Sequence, residues 1–230
     1  MISANQKRNR KILNEAEMFF KEKIFKKHIQ NIKKCETLKE FKVNPFTHRY
    51  LAGLVGRRNS KISLAKALIL PRCLGTSIST SLGSKFQKFI VKHLRAEGSG
   101  DPSLDFDFTD KKDRKRKSCQ LKAGPNTLNA PDVKQLHYEF SKIKRRKKGN
   151  FGSSNIVAGV AYGTSDELSH NYRKLDALGI PIYVGKEFWY RITGDKRFYE
   201  KLIKRFDKAS QNLNVKKALN RAIKVLSENI

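Results

Sequence analysis

Four side chains near the middle of the chain have the types and the spacing for chemistry on a phosphate. Leu104-Asp105-Phe106-Asp107-Phe108 alternates apolar and acidic residues, the period-two pattern of a strand, so Asp105 and Asp107 share one face. A second segment, Cys119-Gln120-Leu121-Lys122-Ala123, sends Cys119 and Leu121 one way and Gln120 and Lys122 the other. The basic turn Lys111-Lys112-Asp113-Arg114-Lys115-Arg116-Lys117 between them makes the pair an antiparallel hairpin. Cross-strand neighbours on one face converge, which brings a carboxylate, an amide oxygen and an ammonium within reach of one another. Mg²⁺ takes one or two protein oxygens and completes its octahedron with waters and substrate phosphate oxygens. Asp105, the Gln120 amide oxygen and the main-chain carbonyl of Leu121 can supply that set, and spacing alone leaves open whether Asp105 or Asp107 is the main ligand. Lys122 is then placed to orient a water for in-line attack on phosphorus and to stabilise developing negative charge. Five of the 21 acidic residues fall between Asp101 and Asp113, a concentration that calls for an explanation in so basic a chain.

The charge points to the same partner. Fifty Lys and Arg stand against 21 Asp and Glu in 230 residues, a formal net charge of +29. Cations that neutralise phosphates release condensed counterions, which drives nucleic-acid binding whatever the base sequence. A membrane surface is the rival polyanion, but it favours a helix with cations on one face, and here the basic residues run throughout. No apolar run approaches the ~18 residues of a membrane span, and the N-terminus lacks the apolar core of a secretory signal, so the expected location is the cytoplasm. Cys35, Cys73 and Cys119 are far apart in the chain, and the five histidines do not cluster with them. A zinc site or disulfide framework is not expected, and buried thiols are.

Other chemistries find little support. Ser79, Thr80 and Ser81 lie in no Gly-x-Ser-x-Gly turn and have no paired histidine. Gly159 and Gly163 are not followed by the Gly-Lys-Ser/Thr of a phosphate loop, so Gly159 is read as allowing close packing of an interior strand. His170-Asn171 lacks the supporting metal ligands of a His-Asn nuclease finger. Phe188, Trp189, Phe198 and Tyr199 read as core aromatics rather than base-stacking residues.

The elements that must position the hairpin are legible from periodicity. Asn5 to Lys34 predicts a long basic helix with Leu13, Ala16, Phe20 and Ile24 inward. Asn44-Pro45 opens a second helix through Tyr50, Leu51 and Leu54, and the apolar run from Ala65 ends at Pro71. Thr76 to Ser84 reads as a hydroxyl-rich helix entry, followed by Phe86, Phe89, Ile90 and Leu94 on one face and a stop at residues 98–102. Pro131 marks a first helical turn, with Val133, Leu136, Phe140 and Ile143 as the buried stripe. Residues 155–162 and 180–184 read as strands, and Phe198, Leu202, Phe206 and then Leu219, Ala222, Leu226 mark two closing helices. This is an α/β (α+β) chain with a mixed central sheet flanked by helices.

Asp, about a dozen residues, then Glu/Asp/Gln-x-Lys is the signature of the PD-(D/E)xK nuclease superfamily, and here it reads Asp105 … Gln120-Leu121-Lys122. The wider text resembles a branch of the type II restriction endonucleases. The matching stretches are Asn44-Pro45-Phe46, Leu74-Gly75-Thr76-Ser77 through Gly83 and Gln87, residues 104–108, residues 120–127, Gly185-Lys186-Glu187-Phe188-Trp189, Thr193-Gly194-Asp195 and Phe198-Tyr199. The resemblance implies an αβββαβ restriction-endonuclease-like core with added N- and C-terminal helices, and Mg²⁺-dependent, sequence-specific hydrolysis of double-stranded DNA. It gives Asp105 the metal-ligand position, Gln120 the second-ligand position, Lys122 the catalytic lysine, and Gln87 a place where relatives carry an acid. Two departures stand out: the order is Asp101-Pro102 rather than Pro-Asp, and Gln120 is neutral where a carboxylate is usual.

Phosphate or base contacts are expected from Lys111, Lys112, Arg114, Lys115, Arg116, Lys117, Asn126, Thr127, Asn129, Arg145, Arg146 and Lys147. Residues 1–75 are expected to form a helical DNA-binding or dimerisation arm packed on a catalytic core of 76–230, together one compact domain. A homodimer reading a palindrome and a cognate DNA methyltransferase are the implied partners. The alternatives are a structure-specific or repair nuclease of the same superfamily, such as a junction resolvase, and a non-catalytic basic nucleic-acid binder.

Overall fold

The computed structural model describes residues 3–94, 97–98, 104–146, 155–211 and 214–230. Among them the chain forms α1 (Ala4–Phe19), α2 (Lys26–Lys34), α3 (Pro45–Val55), α4 (Lys61–Leu70), α5 (Ile78–His93), β1 (Glu97–Gly98), β2 (Phe106–Thr109), β3 (Arg116–Lys122), α6 (Ala130–Arg146), β4 (Ile156–Val160), α7 (His170–Ala177), β5 (Ile182–Val184), α8 (Gly185–Thr193), α9 (Phe198–Ser210) and α10 (Val215–Glu228). From α5 to β4 the order is αβββαβ, as the family resemblance implies. Two compact units divide the chain, Met1–Glu17 with Phe86–Asp207, and Met18–Lys85 with Lys208–Ile230.

The first unit carries the sheet, in spatial order β1-β2-β3-β4-β5. β1, β2 and β3 pair antiparallel, whereas β3, β4 and β5 pair parallel, so the sheet is mixed. β4 is apolar and buried throughout, as an interior parallel strand must be. Ile156, Ala158 and Val160 pack on Val133, Leu136, Phe140 and Ile143 of α6 and on Tyr172 and Leu175 of α7. Gly159 lies against α8, where a Cβ would run into the Phe188 ring and the Cys119 sulfur. Trp189 stacks on Phe198 and meets Phe188 edge-to-face, all three buried, and the indole N–H of Trp189 donates to the Ala161 carbonyl at 2.8 Å. The four aromatics expected in the core therefore include three that are fully buried.

The second unit is helical, with Ile32, Cys35, Ala65, Ile69, Cys73, Ala222, Ile223 and Leu226 as its core. Asn44 caps α3 by accepting from the N–H groups of Phe46 and Thr47, with Pro45 at the first helical position. All three cysteines are buried free thiols.

The helical path does not stop at Pro71. Pro71–Ser77 continues as a π-helical turn straight into α5, so Thr76 and Ser77 lie inside a helical run instead of entering one. A widened turn relieves the clash between a proline ring and the carbonyl four residues back, and it seats Cys73 in the core. A second π-turn, Phe20–Phe25, joins α1 to α2 within the long N-terminal helical stretch that periodicity predicted. There it turns Phe20, Ile24 and Phe25 inward together.

Candidate active site

The register of β2 on β3 decides which side chains meet. Phe106 pairs with Cys119 and Asp107 with Ser118, and the Asp105 N–H donates to the Cys119 carbonyl at 2.9 Å. Antiparallel partners share a face, so Asp105, Asp107, Ser118, Gln120 and Lys122 all project from the same side of the sheet. On β4 and β5 that side is the apolar surface covered by α6 and α7. On β2 and β3 it becomes a polar strip beside the start of α6.

Asp105 is half-buried, and one carboxylate oxygen accepts the Leu121 N–H at 2.6 Å. Burial pushes its pKa up, while the Leu121 N–H and the charge of Lys122 pull it down, and burial prevails. The Lys122 charge is therefore felt at Asp105. The Lys122 ammonium lies 3.8 Å from Asp132 Oδ2 in the first turn of α6. The Gln120 amide oxygen is buried without a hydrogen-bond partner among the described residues, and so are Asp107 Oδ1 and Ser118 Oγ. A buried acceptor left unpaired costs about 1–3 kcal/mol, and a cation on this face would satisfy one. Among the described residues no three His, Cys, Asp or Glu side chains form a metal-binding cluster. The donors present instead are the carboxylates of Asp105 and Asp107, one amide oxygen and main-chain carbonyls. That is a hard, oxygen-only set, sparse enough to need waters and phosphate oxygens, and it fits Mg²⁺.

The expected second aspartate differs from the first. Asp107 is only 8% exposed, and Arg116 donates to its Oδ2 at 3.3 Å. β1 pairs with β2 beyond it, so β2 is not an edge strand of the sheet.

The acidic concentration also has a second, structural cause. Asp110, fully buried, accepts the Lys112 N–H at 2.8 Å and pairs with Arg191 at 2.6 Å. Asp113 accepts the Lys115 N–H at 2.9 Å and pairs with Lys117 at 2.8 Å. These two acids build the hairpin turn, whose Arg114 sits at φ 64°. Arg191 also lies over the Tyr183 ring at 4.0 Å and bonds Glu187, which tethers the turn to β5 and α8.

The basic turn is consequently not uniform. Lys112, Arg114, Lys115 and Arg116 are exposed and Lys111 partly so, but Lys117 is 1% exposed and held by Asp113. Its expected phosphate contact is corrected here: β3 begins at Arg116, so Lys117 points to the apolar side, where a buried ammonium needs a fixed anion. Asn126, Thr127 and Asn129 are exposed on the loop between β3 and α6, and Arg145 is exposed at the end of α6. Asp101, Pro102 and Lys147 lie outside the described residues, as do the side chains of Gln87 and Arg146.

Sequence reasoning missed Asp132. Its N–H donates to Asn129 Oδ1 at 2.8 Å and its carboxylate accepts the Asn129 N–H at 3.3 Å, a reciprocal cap on α6. Asn129-Ala130-Pro131-Asp132 carried that signal as a cap followed three residues later by an acid. Only tertiary structure brings the cap to Lys122.

No helix among the described residues is long and apolar enough to cross a membrane. A search of curated proteins finds no match. The family model described as Type II restriction endonuclease EcoO109I matches residues 6–214, nearly the whole chain and all of the polar strip. The chain thus belongs to the EcoO109I family of type II restriction endonucleases, hydrolases that bind DNA and cut it with a divalent metal.

Proposed function

We propose that the protein is a Mg²⁺-dependent, site-specific endonuclease that cleaves both strands of duplex DNA, leaving 5′-phosphate and 3′-hydroxyl ends. The observation that carries this reading is the register of the hairpin, which lines up Asp105, Gln120 and Lys122 on one sheet face. Asp105, the Gln120 amide oxygen and the Leu121 carbonyl would hold the ion, with Asp105 the principal ligand and Asp107 a further one. Bound there, Mg²⁺ would acidify a water and polarise the phosphate. Asp105 would hold the ion through its carboxylate, beside a neutral Gln120, so its ionised form is the competent one. Lys122 orients the attacking water and stabilises the charge that builds on the non-bridging oxygens. The exposed cations at 111–116 and Arg145, with Asn126, Thr127 and Asn129, are assigned to the DNA. A two-fold homodimer would set two such strips against the two strands, and residues 1–75 are assigned to DNA binding or dimerisation. A methyltransferase of matching specificity is the biological partner this activity requires.

Long DNA incubated with Mg²⁺ should give discrete fragments whose sequenced ends share one site. Preferential cutting of branched DNA would instead make the protein a resolvase-like nuclease. A mobility shift with no cutting in any divalent metal would reduce it to a nucleic-acid binder.

A further inference from the structure

The loop that carries α6 to the polar strip is unusually well tied down. The Tyr172 hydroxyl, on a fully buried ring, donates to the Gly124 carbonyl at 3.0 Å, and the Thr127 hydroxyl donates to the same carbonyl at 2.9 Å. The Ser169 N–H donates to the Pro125 carbonyl at 3.1 Å. Asn171 Nδ2 donates to the Leu128 carbonyl at 2.8 Å. Ser169 and the first residues of α7 thereby hold Gly124, Pro125 and Leu128 of the loop that leads to Asn129, the cap of α6. Asp132 inherits that position through its reciprocal hydrogen bonds with Asn129. One of its oxygens stands 3.8 Å from the Lys122 ammonium.

We infer that Asp132 is a positioning residue for Lys122: a carboxylate that α6 and α7 hold rigidly, and that keeps the lysine ammonium in place at the catalytic face. The inference rests on the proposed role of Lys122. An unrestrained lysine has four rotatable bonds, and fixing its ammonium costs rotamer entropy. A carboxylate at the N-terminal end of α6 supplies the restraint from a rigid element. At 3.8 Å the pair is an ion pair without a close hydrogen bond, so the ammonium can donate hydrogen bonds to a substrate phosphate oxygen while Asp132 still sets its direction. Asp132 serves as both helix cap and charge, and the two duties can be separated. Asp132→Asn keeps an oxygen to accept the Asn129 N–H and removes the charge. Asp132→Ala removes both.

Two measurements test this. The first is independent of catalysis: limited acylation with an amine reagent, read lysine by lysine by mass spectrometry. Removing the carboxylate frees the Lys122 amine, so D132N should label Lys122 several-fold faster while exposed Lys134 on α6 labels at an unchanged rate. Equal labelling of Lys122 in wild type and D132N overturns the inference, whether or not the protein cuts DNA. The second is steady-state cleavage at the sequenced site. D132N should lower kcat on the order of 10-fold or more, with KM, the Mg²⁺ concentration dependence and the thermal midpoint near wild type, and D132E should recover part of the loss. D132A should add a fall in thermal midpoint. Unchanged kcat in D132N, or a loss of kcat that saturating Mg²⁺ restores, overturns the positioning role, the latter because it makes Asp132 a metal ligand. Failure of the wild type to cut would count against the proposed function, whereas the labelling result would still decide the ion pair.

Discussion

Asp105 and Lys122 are 17 positions apart in the chain, and their partnership depends on a single feature, the pairing of Phe106 with Cys119. A slip of one residue would send Gln120 and Lys122 to the apolar face and dismantle the strip. Lys122→Ala should lower the cleavage rate by ~10²–10³-fold or more, as expected for removing a preorganised charge, while a mobility-shift assay shows DNA binding retained. Cleavage at the wild-type rate would remove the lysine from the mechanism. The raised pKa of Asp105, caused first by burial, makes a prediction about stability. A carboxyl whose folded pKa exceeds its unfolded value favours the fold when protonated. That contribution is complete below the unfolded pKa and is lost as pH rises through the folded one. In metal-free buffer, Asp105→Asn should therefore melt at a higher temperature than wild type at neutral pH, with the difference shrinking on acidification into the carboxylate range. The same variant should not cut. Comparing Asp105→Ala with Asp107→Ala in cleavage assays separates the principal ligand from its neighbour, and we expect the larger loss from Asp105.

At the scale of elements, the hairpin holds its register because both ends of its turn are anchored. The Asp110 carboxylate, fully buried, meets Arg191 of α8 at 2.6 Å. Asp110→Ala leaves a guanidinium without that partner and should destabilise the fold by about 3 kcal/mol, measurable by denaturant unfolding. An unfolding free energy within a few tenths of a kilocalorie per mole of wild type would show that the turn holds without it. On the opposite face, α8 approaches β4 so closely that only glycine fits at 159. Gly159→Val should cost about 1–3 kcal/mol through overpacking against Phe188 and Cys119, with soluble yield falling in parallel. Helix starts were legible wherever the chemistry is local, as at Asn44-Pro45 and Pro131. The stretch 71–84 was misread because proline and clustered hydroxyls usually end or begin helices, and here a π-turn carries the helix through.

At the scale of the whole molecule, the governing quantity is the charge of +29. Binding to DNA should lose affinity steeply with salt, with log Kd rising against log salt at a slope of ~0.9 per phosphate neutralised on duplex DNA. A slope near zero in a salt titration would mean that the basic surface does not engage the backbone. Several cations are already used internally, among them Lys117 with Asp113 and Arg191 with Asp110, so the slope must be well below the formal charge.

Composition, periodicity and one short spaced motif pointed to a polyanionic partner and picked out the paired strands that carry Asp105, Gln120 and Lys122, because each depends on residue type and on spacing within a strand, whereas the αβββαβ order came from the family resemblance. The burial of Lys117, the structural duty of Asp110 and Asp113 and the approach of Asp132 to Lys122 were settled by the fold alone. Each depends on which distant element packs against a given side chain, and no local period encodes that. A lysine in a basic run looks the same whether it faces water or a buried aspartate until a sheet and a helix enclose it.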